Sequence, residues 1–230
     1  WLEGPAWNRD QDYLLFSDIP ANSIYRWDPE TGVSLFMQPS GYTGSEPFEG
    51  REPGSNGLTF DHQGRLTICE HGDRRIRRLE PDGSKTVLAD RYQGKRFNSP
   101  NDAIYRSNGD LYFTDPPFGL PKAFDDPDKE LGFNGVYRLT PEGKLHLLED
   151  GIKAPNGIAF SPDEKTLYLT DVDPERMAWL AYDVADDGSI QRGRVFFSAM
   201  PWKDKRAGAP DGIKVDSDGN LYGAGPEGLY

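Results

Sequence analysis

Residues Asn101 to Asp115 read NDAIYRSNGDLYFTD: an amide and an acid, a short apolar run, a turn on Gly109, and a second apolar run closing on Asp115. A glycine among Ser, Asn and Asp between two apolar runs is a hairpin signal, because glycine takes the positive φ that tight turns require. The same pattern opens at Glu3 (EGPAW), Asn56 (NGLTF), Asn156 (NGIAF) and Asp211 (DGIKV), so five copies begin at intervals of 53, 45, 55 and 55 residues. Gly64 and Gly219 stand eight residues into their copies, as Gly109 does, and the strand-closing acids Glu70 and Asp115 stand fourteen residues in. Asp18 and Asp171 fall at fifteen, the second after a turn, SPDEK, that is one residue longer. Further turns at DPETG (28–32), EPDGS (80–84) and TPEGK (140–144) mark a second pair of strands in most copies.

Four short strands in a repeat of this length form a β-propeller blade, and the periodicity of helical repeats is missing. The fold class is therefore all-β, with residues 1–230 forming a single β-propeller domain. The fifth copy stops at Tyr230 after about its second strand, and Trp1 to Pro5 already lie inside a motif. The expectation is a fragment showing about five blades of a six-bladed ring.

Bulk composition agrees. Gly 26 and Pro 19 in 230 residues favour turns over long helices, and 36% hydrophobic residues suit a packed interior. A formal net charge of −12 argues against nucleic acid or an anionic membrane as partner and suits cation binding. Cys69 is the lone cysteine, which excludes an internal disulfide. The lone cysteine suits a reducing compartment and is compatible with an oxidising one, so a cytoplasmic or periplasmic location is expected; no stretch reads as a membrane span or leader, and nothing in the sequence sets an oligomeric state.

In a propeller the innermost strands run along the central channel, so residues at one point of every repeat form a ring about the axis. Glu3, Asn56, Asn101, Asn156 and Asp211 form that ring, and Asp18, Glu70, Asp115 and Asp171 are expected on the same face as a second oxygen-rich layer. Crowded carboxylates and amides call for a cation, and oxygen-only donors select Ca²⁺ or another hard divalent ion over zinc. His71, beside Glu70 at this mouth, is a candidate substrate contact. Tyr42, Phe48, Phe97 and Trp202, on segments between blades, are candidates either for pocket walls or for hydrophobic plugs that pin those segments. The segment from Pro116 to Phe133, with its acidic run FDDPDKE, reads as a solvated loop, with a lid over the mouth as the alternative.

The stretches EGPAW at 3, CEHGDRRI at 69, RFNSPNDAIYRSNGDLYFTDPPFGL at 96, APNGIAFSPDEKTLYLTD at 154 and PDGIKVDSDGNLY at 210 resemble the gluconolactonase, regucalcin and luciferin-regenerating-enzyme family, in its bacterial gluconolactonase branch. The resemblance implies a six-bladed propeller with calcium in the channel, and hydrolysis of a small lactone. By position, Glu3, Asn156 and Asp211 match the family's metal ligands, and Asn101 matches an asparagine that contacts metal or substrate. The regucalcin branch has a substrate-contacting arginine two residues before that asparagine, where this chain has Ser99. The implied chemistry is a metal-polarised carbonyl attacked by water, with Asp211 as general base and Glu3 and His71 as next candidates. Two alternatives share the scaffold: a phosphotriesterase-type hydrolase, and a non-enzymatic binding protein whose metal only holds the ring together.

Overall fold

The computed structural model describes all 230 residues. The first blade comprises β1 (Leu2–Asn8), β2 (Tyr13–Asp18), β3 (Ser23–Asp28) and β4 (Gly32–Met37). The second comprises β5 (Ser55–Phe60), β6 (Leu66–Glu70), β7 (Arg75–Leu79) and β8 (Lys85–Ala89), after which β9 (Arg91–Tyr92) and β10 (Lys95–Arg96) form a small separate hairpin. The third blade comprises β11 (Ala103–Tyr105), β12 (Leu111–Asp115), β13 (Gly135–Leu139) and β14 (Leu145–Glu149). The fourth comprises β15 (Pro155–Phe160), β16 (Thr166–Asp171), β17 (Ala178–Val184) and β18 (Ile190–Ser198). The fifth has three strands, β19 (Ile213–Val215), β20 (Leu221–Gly225) and β21 (Gly228–Leu229). Each blade is an antiparallel meander in chain order.

The turns form where the sequence places them. Gly64, Gly109 and Gly219 have φ of 73°, 90° and 86°, and in the longer SPDEK turn Glu164 takes the left-handed position at 56°. Apolar residues of neighbouring blades interlock, so the interior lies between blades rather than at the axis. Leu15 and Ile24 of the first blade pack on Leu58 and Ile68 of the second. Cys69 and Ile76 of the second meet Phe113 and Tyr137 of the third. Tyr112 of the third meets Ile158 and Leu169 of the fourth, and Trp179 of the fourth packs near Ile213 of the fifth. This arrangement leaves the axis free for polar groups.

A second connection between blades runs through hydroxyls. Ser17 Oγ donates to Asn56 O at 2.8 Å, Thr114 Oγ1 to Asn156 O at 2.7 Å and Thr170 Oγ1 to Asp211 O at 2.8 Å. In each case the residue before a strand-closing acid of one blade holds the backbone carbonyl of the ring residue in the next. The second blade has Cys69 at this position, and there Gly57 N donates to Asn101 O at 2.7 Å.

Candidate functional site

The ring residues share a local irregularity. The ladder slips between Glu3 and Ala6 in β1, between Ser55 and Leu58 in β5, and between Pro155 and Ile158 in β15. In the third and fifth blades the regular strand begins only at Ala103 and Ile213, two residues after Asn101 and Asp211. A bulge re-aims the side chains it carries. Here the re-aimed residues are the ring: Glu3, Asn56, Asn101, Asn156 and Asp211 line both of two adjoining cavities, one opening at the mouth and one running along the channel.

The inner side of this waist is acidic. Burial pushes the Glu3 carboxyl up to about 7, with the charges of Asp211, Glu52 and Asp102 adding to the effect. Burial likewise raises Asp211, helped by Asp102 and opposed by a side-chain hydrogen bond from Asn156 and the Gly212 backbone N–H. Asp102 accepts from Ala103 N at 2.9 Å and Ile158 N at 3.2 Å, and Lys214 Nζ lies 3.6 Å from it. Like charges are thus gathered in a half-dry space, where a divalent cation would offset their repulsion. The donors are hard oxygens, two carboxylates and two or three amides, a set that fits calcium. No cluster of three or more His, Cys, Asp or Glu side chains could hold a metal alone, so the amides are integral to any such site.

The second layer of acids is at the same face but does different work. Glu70 is fully buried and paired with Arg75, Nε at 2.5 Å, and with Arg77. Asp115, also fully buried, accepts from Asn98 N and Ser99 N, both at 2.9 Å. Asp171 accepts from Asp173 N at 3.1 Å, with Arg176 Nε 3.7 Å away. These carboxylates fasten the loops that cross the blade tops and do not line either cavity. Ser99 is likewise internal, donating to Pro116 O at 2.6 Å and accepting from Gly119 N at 2.8 Å.

His71 is fully buried and is absent from the cavity lining; its Nδ1 is 2.8 Å from Glu52 Oε2. Of the two readings of the aromatic residues, the packing one fits: none of the four lines either cavity. Phe97 is in the core between the second and third blades, Tyr42 packs on Phe48 at 5.1 Å, and Trp202 stacks on Tyr230 at 4.7 Å. Apart from the ring, the mouth is lined chiefly by Trp1, Ile19, Glu52, Phe118, Val172 and Pro210. Phe118 comes from the segment read as a solvated loop or, alternatively, a lid. Arg74 Nη1, donating to Asp128 O at 3.1 Å, fastens that segment to the second blade.

Fold and site together define a β-propeller protein with an oxygen-donor site on its axis. The chain belongs to the SMP-30/Gluconolactonase/LRE-like family, whose pattern matches residues 1–229. The gluconolactonase of Zymomonas mobilis is 41% identical over 237 aligned residues, covering 100% of this chain and 66% of that protein. A gluconolactonase structure from Xanthomonas campestris superposes with a TM-score of 0.83 at 37% identity, covering 100% of this chain and 71% of that one. The structure of regucalcin, a calcium-binding protein of Agrobacterium tumefaciens, shares the fold at a TM-score of 0.71 and 19% identity, covering 97% of this chain and 67% of that one. The chain spans about two thirds of the length of the curated relatives it matches. Five blades are present here, the fifth with three strands.

Proposed function

We propose that this chain carries the reaction centre of a lactone hydrolase, with a divalent cation, calcium foremost, held by Glu3, Asn101, Asn156 and Asp211. The observation that carries the reading is their convergence on one buried waist, where burial and neighbouring acids raise the Glu3 carboxyl to about 7. The gluconolactonases of Zymomonas and Xanthomonas, alike along this whole chain, support the reaction class. When bound, the cation supplies a positive charge that polarises a carbonyl and stabilises the oxyanion formed from it.

The protein's own groups account for the rest. Asp211 takes a proton from the attacking water, and the adjacent Asn156 side chain favours the ionised form of that carboxylate. Thr170 holds the Asp211 carbonyl, so the base is anchored through its backbone as well. The apolar lining of the mouth, including Trp1, Ile19 and Phe118, seats the lactone ring and limits access of bulk water. Assay of the calcium-loaded protein against γ- and δ-lactones and a phosphotriester tests the reading. Lactones are expected to be opened at least about 10²-fold faster than by the same protein lacking Asp211, the scale on which a general base contributes. Turnover of the phosphotriester with no lactone opened would replace this reading with the phosphotriesterase one.

A further inference from the structure

Glu52 is the one acidic side chain of the mouth outside the ring. It sits on the connection between β4 and β5, where an exposed and freely moving carboxylate would be ordinary. Its surroundings are neither. The Glu52 side chain is 18% exposed and its Oε2 stands 2.8 Å from Nδ1 of the fully buried His71 imidazole, an ion-pair contact, while neither ring nitrogen makes a well-aligned hydrogen bond.

The backbone beside Glu52 is clamped just as closely. Gly54 N donates to Ile19 O at 3.0 Å, and His71 N donates to Gly54 O at 3.2 Å. A Cβ on Gly54 would stand 2.6 Å from Ile19 O, and one on Gly72 would stand 2.5 Å from Pro53 O. His71 is itself capped, since a Cβ on Gly119 would come within 2.6 Å of His71 Cβ. The segment bearing Phe118 therefore closes over the imidazole. The result is a carboxylate fixed in place on a largely apolar wall, facing the cavity in which the lactone is seated.

We infer that Glu52, positioned by His71, determines specificity by accepting hydrogen bonds from hydroxyl groups of a polyhydroxylated lactone. This rests on the lactone-hydrolase reading above. A carboxylate only accepts hydrogen bonds when ionised, so on an apolar wall it rewards a ligand that offers hydroxyl donors and disfavours one that leaves it unpaired. Because the group is already held, little side-chain freedom is lost when the substrate arrives. His71 acts through Glu52 and is a positioning residue.

The test compares kcat/KM for δ-gluconolactone with kcat/KM for unsubstituted δ-valerolactone, in the calcium-loaded parent and in Glu52→Gln, Glu52→Leu and His71→Asn. The ratio is expected to fall about 10-fold or more in Glu52→Leu, the scale of a hydrogen bond to a charged acceptor, and by less in Glu52→Gln. His71→Asn is expected to lower the ratio in the same direction, mainly through KM for the hydroxylated substrate. A loss from structural damage alone would lower both substrates together and leave the ratio where it was. An unchanged ratio in both Glu52 variants, with the parent active, overturns the assignment while leaving the lactonase reading intact. Absence of activity toward either lactone in the parent overturns the lactonase reading and this assignment with it.

Discussion

Replacing Asp211 with Asn is expected to leave the lactone-opening rate about 10²-fold or more below the parent even at saturating calcium. The substitution keeps the size of the side chain and one oxygen donor, so cation affinity should fall and be recoverable with excess ion. The base, however, is gone. A competing effect has to be weighed: a carboxylate beside a cation is pulled toward ionisation and is a weaker base than a free one. In this protein burial and Asp102 push the same carboxyl upward, which opposes that loss of basicity. A calcium-saturated rate within about threefold of the parent would move the base to another group. Glu3 would then be the next candidate, since it lines the same waist and is raised to about 7.

Gly157→Ala is expected to give a large loss of stability from a single added methyl near the axis. Its Cβ would stand 2.5 Å from Asp211 O and 2.6 Å from Ile213 Cγ2, and the first of these is backbone that cannot swing aside. The same carbonyl is held by Thr170, whose hydroxyl also receives Gly157 N at 2.7 Å. Relief therefore requires β15 and β19 to part, which separates Asn156 from Asp211. Overpacking of this kind costs about 3 kcal/mol. For a domain of this size that corresponds to a melting temperature lower by roughly 6–12 °C. Calcium affinity should fall about tenfold or more as the donors spread. Gly132→Ala, where an added Cβ meets nothing within 4 Å, is the matched control. A Gly157→Ala protein melting within about 2 °C of that control would show that the inner strands are not packed as described.

The fold was legible because a propeller repeats. Each turn glycine, strand-closing acid and ring residue can be checked against its counterparts, and residues such as Gly64, Gly109 and Gly219 take the same left-handed backbone. Convergence of Glu3, Asn101, Asn156 and Asp211 followed from that register, although the bulges that turn them inward left no clear mark in the sequence. Hydroxyls before the closing acids did leave one: SD at 17, TD at 114 and TD at 170 are now recognisable as the inter-blade fastening.

What was not legible depends on contacts between distant segments. Strand alternation tells at which end of a blade Glu70 or Asp115 stands. It does not tell whether the carboxylate looks into the channel or back beneath the next loop, and nearby Arg75, Arg77 and the Asn98–Ser99 backbone decide for the loop. Likewise Phe97 and Trp202 are aromatic residues on segments linking blades, but their partners draw them into packing clusters. The mouth is left to Trp1, Ile19 and Phe118 from three separate segments. The Glu52–His71 contact joins residues nineteen apart that share no repeat position, so no internal comparison could have found it.

The central claim is that the acid-and-amide ring is a cation site on which lactone opening depends. Its most direct test is a titration of calcium into protein stripped by a chelator, following the rate of lactone opening and calcium binding in the same samples. The account predicts a rate at background in the stripped protein, restored along the binding curve of one site and abolished together with binding in a Glu3→Gln, Asp211→Asn double variant. Full activity in protein demonstrably free of divalent metal would contradict it.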